Sequence, residues 1–182
     1  NAGIAAALFS ARLGLKPALI YMPEGHKGSR YHLAAQAFGA DVKFYGNNIK
    51  AAGVRMRDDL SGSLADGSYV DLSTFFEPGR LEGKKTLGYE ILDHFGPLDL
   101  PDVIIYPTGG GTGLVGIWKA FQELKELGVL TADSKLPRLV VVQSEHCSPI
   151  VRSWKKKNTF VEPIVSKGTM ADGLDVPAAI MG

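Results

Sequence analysis

Between an apolar run that ends at Pro107 and a helical pattern that opens at Leu114, four glycines fall within five positions, Gly109 to Gly113. Few arrangements accommodate a chain that leaves a β-branched strand this way and then enters a helix. Glycine admits positive φ and close backbone approach, so N–H groups can point inward with no side chain between them. The following helix, expected over Leu114 to Leu127 with apolar Leu114, Ile117, Phe121 and Leu124, adds partial positive charge at its start. Strand, glycine loop and helix N-terminus together suit a phosphate group. Two other readings stay open on these residues. Gly111-Thr112-Gly113-Leu114-Val115-Gly116 matches the dinucleotide fingerprint G-x-G-x-x-G. That fingerprint follows its strand directly, whereas Pro107 to Gly110 intervene here. The acidic residue due about 20 positions on is Asp133, in a polar loop. A glycine-rich turn with no ligand is the third reading.

Short apolar runs alternate with longer helical patterns along the whole chain. Strands are expected at Ala18 to Met22, Val42 to Tyr45, Tyr69 to Leu72, Val103 to Tyr106 and Leu139 to Val142. The last two are continuous apolar runs, as parallel strands buried on both faces should be. Helices are expected at Ala2 to Leu13, at about Ser29 to Phe38, from a cap at Asn47 or Asn48 to about Leu60, and within Leu81 to Phe95, with a loop over Gly62 to Gly67. The alternation predicts an α/β fold with parallel sheets and right-handed crossovers. Phe75-Phe76-Glu77-Pro78-Gly79 interrupts the pattern, so two domains are expected, 1–78 and 79–182, the second carrying the glycine loop.

At 182 residues and 45% hydrophobic content the chain can bury a core. A formal charge of +1 gives no polyanion-binding surface, so nucleic acid is not an expected partner. No apolar run approaches the ~20 residues of a membrane span. The lone Cys147 excludes an internal disulfide and fits a reducing compartment, so a cytoplasmic location is expected. The chain starts without Met inside a helical pattern and stops after an apolar segment, which leads us to expect part of a longer polypeptide, truncated at both ends.

Several segments, in order, resemble the fold-type II pyridoxal-phosphate enzymes, and threonine synthases among them. Asn1-Ala2-Gly3 is similar to the end of the Ser-x-Gly-Asn-x-Gly loop that packs on the cofactor ring. Arg80-Leu81-Glu82-Gly83-Lys84-Lys85-Thr86 resembles the Arg-Leu-Glu-Gly-x-Lys-Thr segment, and Pro107 to Gly113 the cofactor-phosphate loop. Gln143 to Val151 and Thr169 to Pro177 resemble two later segments, the second usually written with Arg where Asp175 stands. Phe75 departs from the small polar residues many threonine synthases carry there.

The resemblance implies a tryptophan synthase β-subunit-like fold of two open parallel-sheet domains, pyridoxal 5'-phosphate as cofactor, and a homodimer of the full-length protein. It implies conversion of O-phosphohomoserine and water to threonine and phosphate, a carbon–oxygen lyase activity. A threonine or serine dehydratase and a non-catalytic phosphate-ligand-binding domain are the alternatives. In site terms it implies Asn1 on the ring oxygen, Gly109, Gly110, Gly111, Thr112 and Gly113 on the phosphate, and Arg80 on a substrate anion. The family's Schiff-base lysine precedes the Asn-x-Gly loop and has no counterpart in this chain, so no catalytic residue is assigned and the chain alone is expected not to turn over. Lys84 and Lys85 are expected at a surface or domain junction, and His146-Cys147 in loop packing. His26 and His32, six residues apart, share no helical face, so no metal site is expected.

Overall fold

The computed structural model describes residues 2–73 and 75–179. They fall into two compact units, Asn1–Ser73 and Thr74–Gly182. Asn1, assigned above to the cofactor ring, lies outside the described residues.

The first unit runs α1 (Ala2–Arg12), β1 (Leu19–Met22), α2 (Arg30–Ala37), β2 (Asp41–Phe44), α3 (Ile49–Asp59) and α4 (Ser61–Ala65). β1 and β2 pair in parallel, Leu19 opposite Asp41 and Met22 opposite Phe44. Caps set the helix starts: Ser29 accepts from the His32 N–H, and Asn48, rather than Asn47, accepts from the Ala51 N–H. Gly39, at φ 79°, follows α2 and turns the chain into β2.

Two expectations fail in this unit. The third strand, over Tyr69 to Leu72, does not form. A strand needs a neighbour to take its N–H and C=O groups, and here the Tyr69 N–H donates to the Ser63 carbonyl while the Asp71 carboxylate takes the Ser73 N–H. Asp71 also pairs with Arg57 at 3.3 Å. Ser61 to Ala65, expected largely as loop, is helical instead, its Leu64 N–H bonding back to the Leu60 carbonyl.

The second unit contains α5 (Gly79–Lys84), α6 (Thr86–Phe95), β3 (Val103–Pro107), α7 (Thr112–Glu126), β4 (Arg138–Val142) and α8 (Pro149–Lys155). β3 and β4 are parallel, Ile104 opposite Leu139 and Tyr106 opposite Val141. The crossover helix α7 buries Ile117, Phe121 and Leu124 with Leu100 and Leu130, and Ile91, Ile104, Tyr106 and Leu139 pack around them. The two strands were expected to be buried on both faces. Only the face of Ile104, Tyr106 and Leu139 meets that core, while on the other face Ile105 is 66% and Val142 44% exposed.

α5 and α6 approach α7 through glycine. A Cβ on Gly88 would stand 2.6 Å from the Ala120 Cβ, and one on Gly116 2.6 Å from the Lys84 Cβ and 2.9 Å from the Lys84 carbonyl carbon. Beside this contact four charges interlock. Lys85 Nζ lies 2.5 Å from Glu82 Oε2 and 2.6 Å from Glu123 Oε2, and Lys119 Nζ lies 2.5 Å from Glu82 Oε1 and 2.7 Å from Glu123 Oε1. The Tyr89 hydroxyl donates to Glu123 as well, at 3.1 Å. Lys85, expected at a surface or domain junction, has a side chain only 13% exposed, drawn between α5 and α7 by two carboxylates.

Hydrogen bonds from Lys119 and Lys85 lower the Glu123 carboxyl to about 2, and those from Glu123 and Glu82 raise the Lys85 ammonium. A depressed carboxyl contributes stability that is present above its unfolded value and lost as pH falls through its folded one. The Tm advantage of the wild-type chain over Glu123→Gln is therefore expected to shrink between about pH 4.5 and about pH 2, and thermal melts across that range check it. Gly116→Ala forces backbone apart rather than the tip of a flexible side chain and is expected to cost about 1–3 kcal/mol by the same measurement.

A glycine cradle at the start of the crossover helix

The β3–β4 ladder continues one residue past its strands, because the Thr108 N–H donates to the Val142 carbonyl at 2.8 Å. Thr108 is 1% exposed and turns its hydroxyl back to the Tyr106 carbonyl, 2.8 Å away. The loop thus leaves the sheet from a fixed point. Gly111, at φ 94°, then turns the chain into α7, a conformation costly for any residue with a Cβ. No side chain caps this 15-residue helix. The first-turn N–H groups of Thr112, Gly113 and Leu114 have no acceptor within the helix, and the helix dipole adds positive potential where they emerge.

Space at the cradle is set by neighbours. A Cβ on Gly113 would overlap the Tyr106 hydroxyl oxygen and stand 2.7 Å from its ring carbon Cζ. A Cβ on Gly109 would meet Val176 Cγ2 at 3.1 Å and the Leu174 Cα at 3.4 Å. Gln143, just past β4, spans the loop and α8: its Nε2 donates to the Gly109 carbonyl at 3.2 Å and its Oε1 accepts from the Val151 N–H at 3.1 Å. Sequence reasoning placed Gln143 only within a resembling segment and gave it no role. The findable signal was its place at the carboxyl end of a parallel strand, where α/β folds gather ligands.

A cavity of about 310 Å³ opens beside Thr108, Gly110 and Gly111, walled by Leu114, Val115 and Trp118 of α7, Leu139 and Val141 of β4, and Phe75. Phe75 holds φ 64°, strained for an aromatic residue. Arg80 stands at the start of α5, where Glu77 accepts from the N–H groups of Gly79 and Arg80 at 2.6 and 2.9 Å. The structure therefore brings Gly109 to Gly113 together in one loop and places Arg80 on the helix that packs over Gly116.

The competing readings of the loop now separate. Gly116, the last glycine of the dinucleotide match, is taken up by the packing of Lys84, and exposed Asp133 precedes β4 by several residues. His146 lies 3.5 Å from Glu145, while buried Cys147 has its thiol pushed up by burial and then by the Asp175 carboxylate. An inert thiol of this kind serves packing, not attack.

Strand, four-glycine turn and uncapped helix form one α/β unit, and comparison places the chain in a family. The family described as pyridoxal-phosphate dependent enzyme matches residues 1–181, and the chain belongs to it. Pyridoxal 5'-phosphate is the cofactor of these enzymes. The threonine synthase of Methanocaldococcus jannaschii is 29% identical over 97% of this chain and 41% of its own length. That of Methanosarcina acetivorans is 30% identical with the same coverage. The chain thus spans about two-fifths of these relatives. Among solved structures, the processed form of threonine deaminase isoform 2 from Solanum lycopersicum has a TM-score of 0.70 at 24% identity, covering 97% of this chain and 46% of its own. Maize serine racemase has a TM-score of 0.66 at 18% identity, covering 98% and 49%. The fold is that of the tryptophan synthase β-like enzymes, as expected from sequence. No helix among the described residues is long and apolar enough to cross a membrane.

Gly113→Ala drives its methyl into the Tyr106 ring and is expected to lower the affinity for inorganic phosphate at least tenfold, measured by titration. Tyr106→Phe on that background removes only the nearest atom and is expected to restore little, since the clash with Cζ at 2.7 Å persists.

Proposed function

We propose that this chain is the cofactor-phosphate-binding portion of a threonine synthase, an enzyme that converts O-phosphohomoserine and water to threonine and phosphate. The observation that carries the reading is the cradle at Gly109 to Gly113, at the start of the helix against which α5, the helix bearing Arg80, packs. The relatives at 29% and 30% identity, both threonine synthases, support it. In this reading the unit Asn1–Ser73 is part of the smaller domain and Thr74–Gly182 part of the larger.

The residues present fit the phosphate end of the cofactor. Gly110 and Gly111 have no neighbour closer than 3.7 Å where a Cβ would stand, and the first-turn N–H groups of α7 supply donors and positive potential. The Thr112 hydroxyl adds a further donor. When bound, the cofactor supplies the electron sink for carbanion chemistry at the amino-acid substrate. The chain's own share is positioning and electrostatics. The loop fixes the cofactor's tail, and Asn1 holds its ring oxygen. The Arg80 guanidinium takes the phosphate or carboxylate of the substrate bidentately. An apolar cavity lies beside Gly110 and Gly111.

The test is phosphate release from O-phosphohomoserine by a polypeptide containing this chain and loaded with pyridoxal 5'-phosphate, with threonine followed as product. Release with threonine formed supports the reading. Bound cofactor without release moves the assignment to a dehydratase, and absence of cofactor binding leaves a phosphate-ligand-binding domain. Arg80→Lys keeps the charge and loses the fork, and is expected to raise KM for O-phosphohomoserine about tenfold with a smaller change in kcat.

A further inference from the structure

The segment 172–177 lies on the glycine loop: Val176 Cγ2 and Cγ1 are the nearest atoms to where a Cβ on Gly109 or Gly110 would stand, at 3.1 and 3.7 Å. Little regular structure holds that segment down. Its single 3-10 turn, Asp172–Leu174, is closed by the Leu174 N–H on the Ala171 carbonyl. The Ile164 N–H donates to the Pro177 carbonyl at 2.9 Å. The contact between them is made by a side chain. Asp175 accepts from the Ser166 hydroxyl at 2.6 Å, the short length of a charge-assisted bond. Its carboxylate also helps push up the thiol of buried Cys147, after burial itself. Ser166 is fixed in turn, accepting from the Gly168 N–H at 3.0 Å, while the Lys167 N–H donates to the His146 carbonyl at 3.2 Å. The acid thus ties the strap over the loop to the stretch at Ser166, and the Lys167 N–H ties that stretch to the bend at Ser144 to Cys147.

We infer that Asp175 is a positioning residue. By tying the strap to Ser166 it presses Val176 onto Gly109 and Gly110, and so sets the direction of the loop's N–H groups. Asp175 is half-buried and meets no phosphate itself; it acts through Val176. The consequence for anion affinity rests on the reading of the loop as a phosphate site. The consequence for the loop's rigidity does not.

The experiment separates the two. Amide hydrogen exchange over Gly109 to Thr112 is measured without ligand, and inorganic phosphate is then titrated, for the wild-type chain, Asp175→Ala, Asp175→Asn and Ser166→Ala. Asp175→Ala is expected to speed exchange in the loop and weaken phosphate binding about tenfold, the size of one lost charge-assisted bond. Asp175→Asn keeps an acceptor for the Ser166 hydroxyl and is expected to restore most of both. Ser166→Ala removes only the donor and is expected to follow Asp175→Ala, so the inference stays testable should the acid variant fold poorly. A second cycle reads the strap directly: Gly109→Ala, whose methyl meets Val176, is expected to weaken phosphate binding less in the Asp175→Ala background than in wild type. Unchanged exchange in Asp175→Ala and Ser166→Ala, or no rescue by Asn, overturns the inference. Altered exchange in a chain that takes up no phosphate when wild type overturns the phosphate reading and leaves the positioning role standing.

Discussion

The second unit is organised by what α7 can do without side chains. Three of its contacts come through glycine: Gly113 under the Tyr106 ring, Gly116 under the backbone of Lys84, and Ala120 against Gly88 of α6. Close approach at these points lets one helix serve two purposes. Its apolar face, Ile117, Phe121 and Leu124, closes the core, and its uncapped N-terminus emerges at the end of the sheet. A larger residue at Gly116 would lift α5, and Arg80 with it, away from the helix that carries the loop.

The charges between α5 and α7 refine the same geometry. Dispersion and apolar burial tolerate a small slide between helices, since an apolar side chain that leaves one neighbour meets another of similar character. An alternating ring of two carboxylates and two ammonium groups is less tolerant, because every group is held by two partners at once. Such pairs contribute little stability individually at a surface. As a network they fix the register between α7 and α5, the helix that carries Arg80.

Much of this was legible in the sequence where local pattern and tertiary role coincide. β3, the glycine turn, α7 and β4 follow in the expected order because an apolar run, a glycine cluster and a helical repeat leave few alternatives. Legibility failed where a partner decides. Tyr69 to Leu72 has strand composition and no ladder, since pairing is a property of two segments. Ile105 and Val142 look doubly buried in a continuous apolar run, yet exposure depends on what lies above them. Gly116 matched a nucleotide fingerprint for a reason unrelated to nucleotides: the pattern recorded a close helix contact. Lys85 read as a surface residue because its two acids lie elsewhere in sequence, one of them at Glu123.

The loop is held from independent directions, and that bears on what it can select. Thr108 ties it to the ladder, Gln143 to α8, and Val176 covers it from the 172–177 strap. Donors aimed before the anion arrives lose little entropy on binding, so a loop fixed this way binds tightly and adapts poorly. On the proposed reading it holds a phosphate ester, which suits the tail of a cofactor common to enzymes of differing chemistry. Discrimination between reactions must then reside in groups that face the substrate. Arg80 is the group the threonine-synthase reading requires, because a substrate carrying its own phosphate needs a second cation distinct from the cradle. Phe75, strained and walling the cavity beside Gly110 and Gly111, presents bulk where a dehydratase and a synthase would ask for different shapes. On the proposed reading the cradle holds the cofactor, and the choice of reaction turns on groups such as these two residues, both carried on the segment between the end of the first unit and α6.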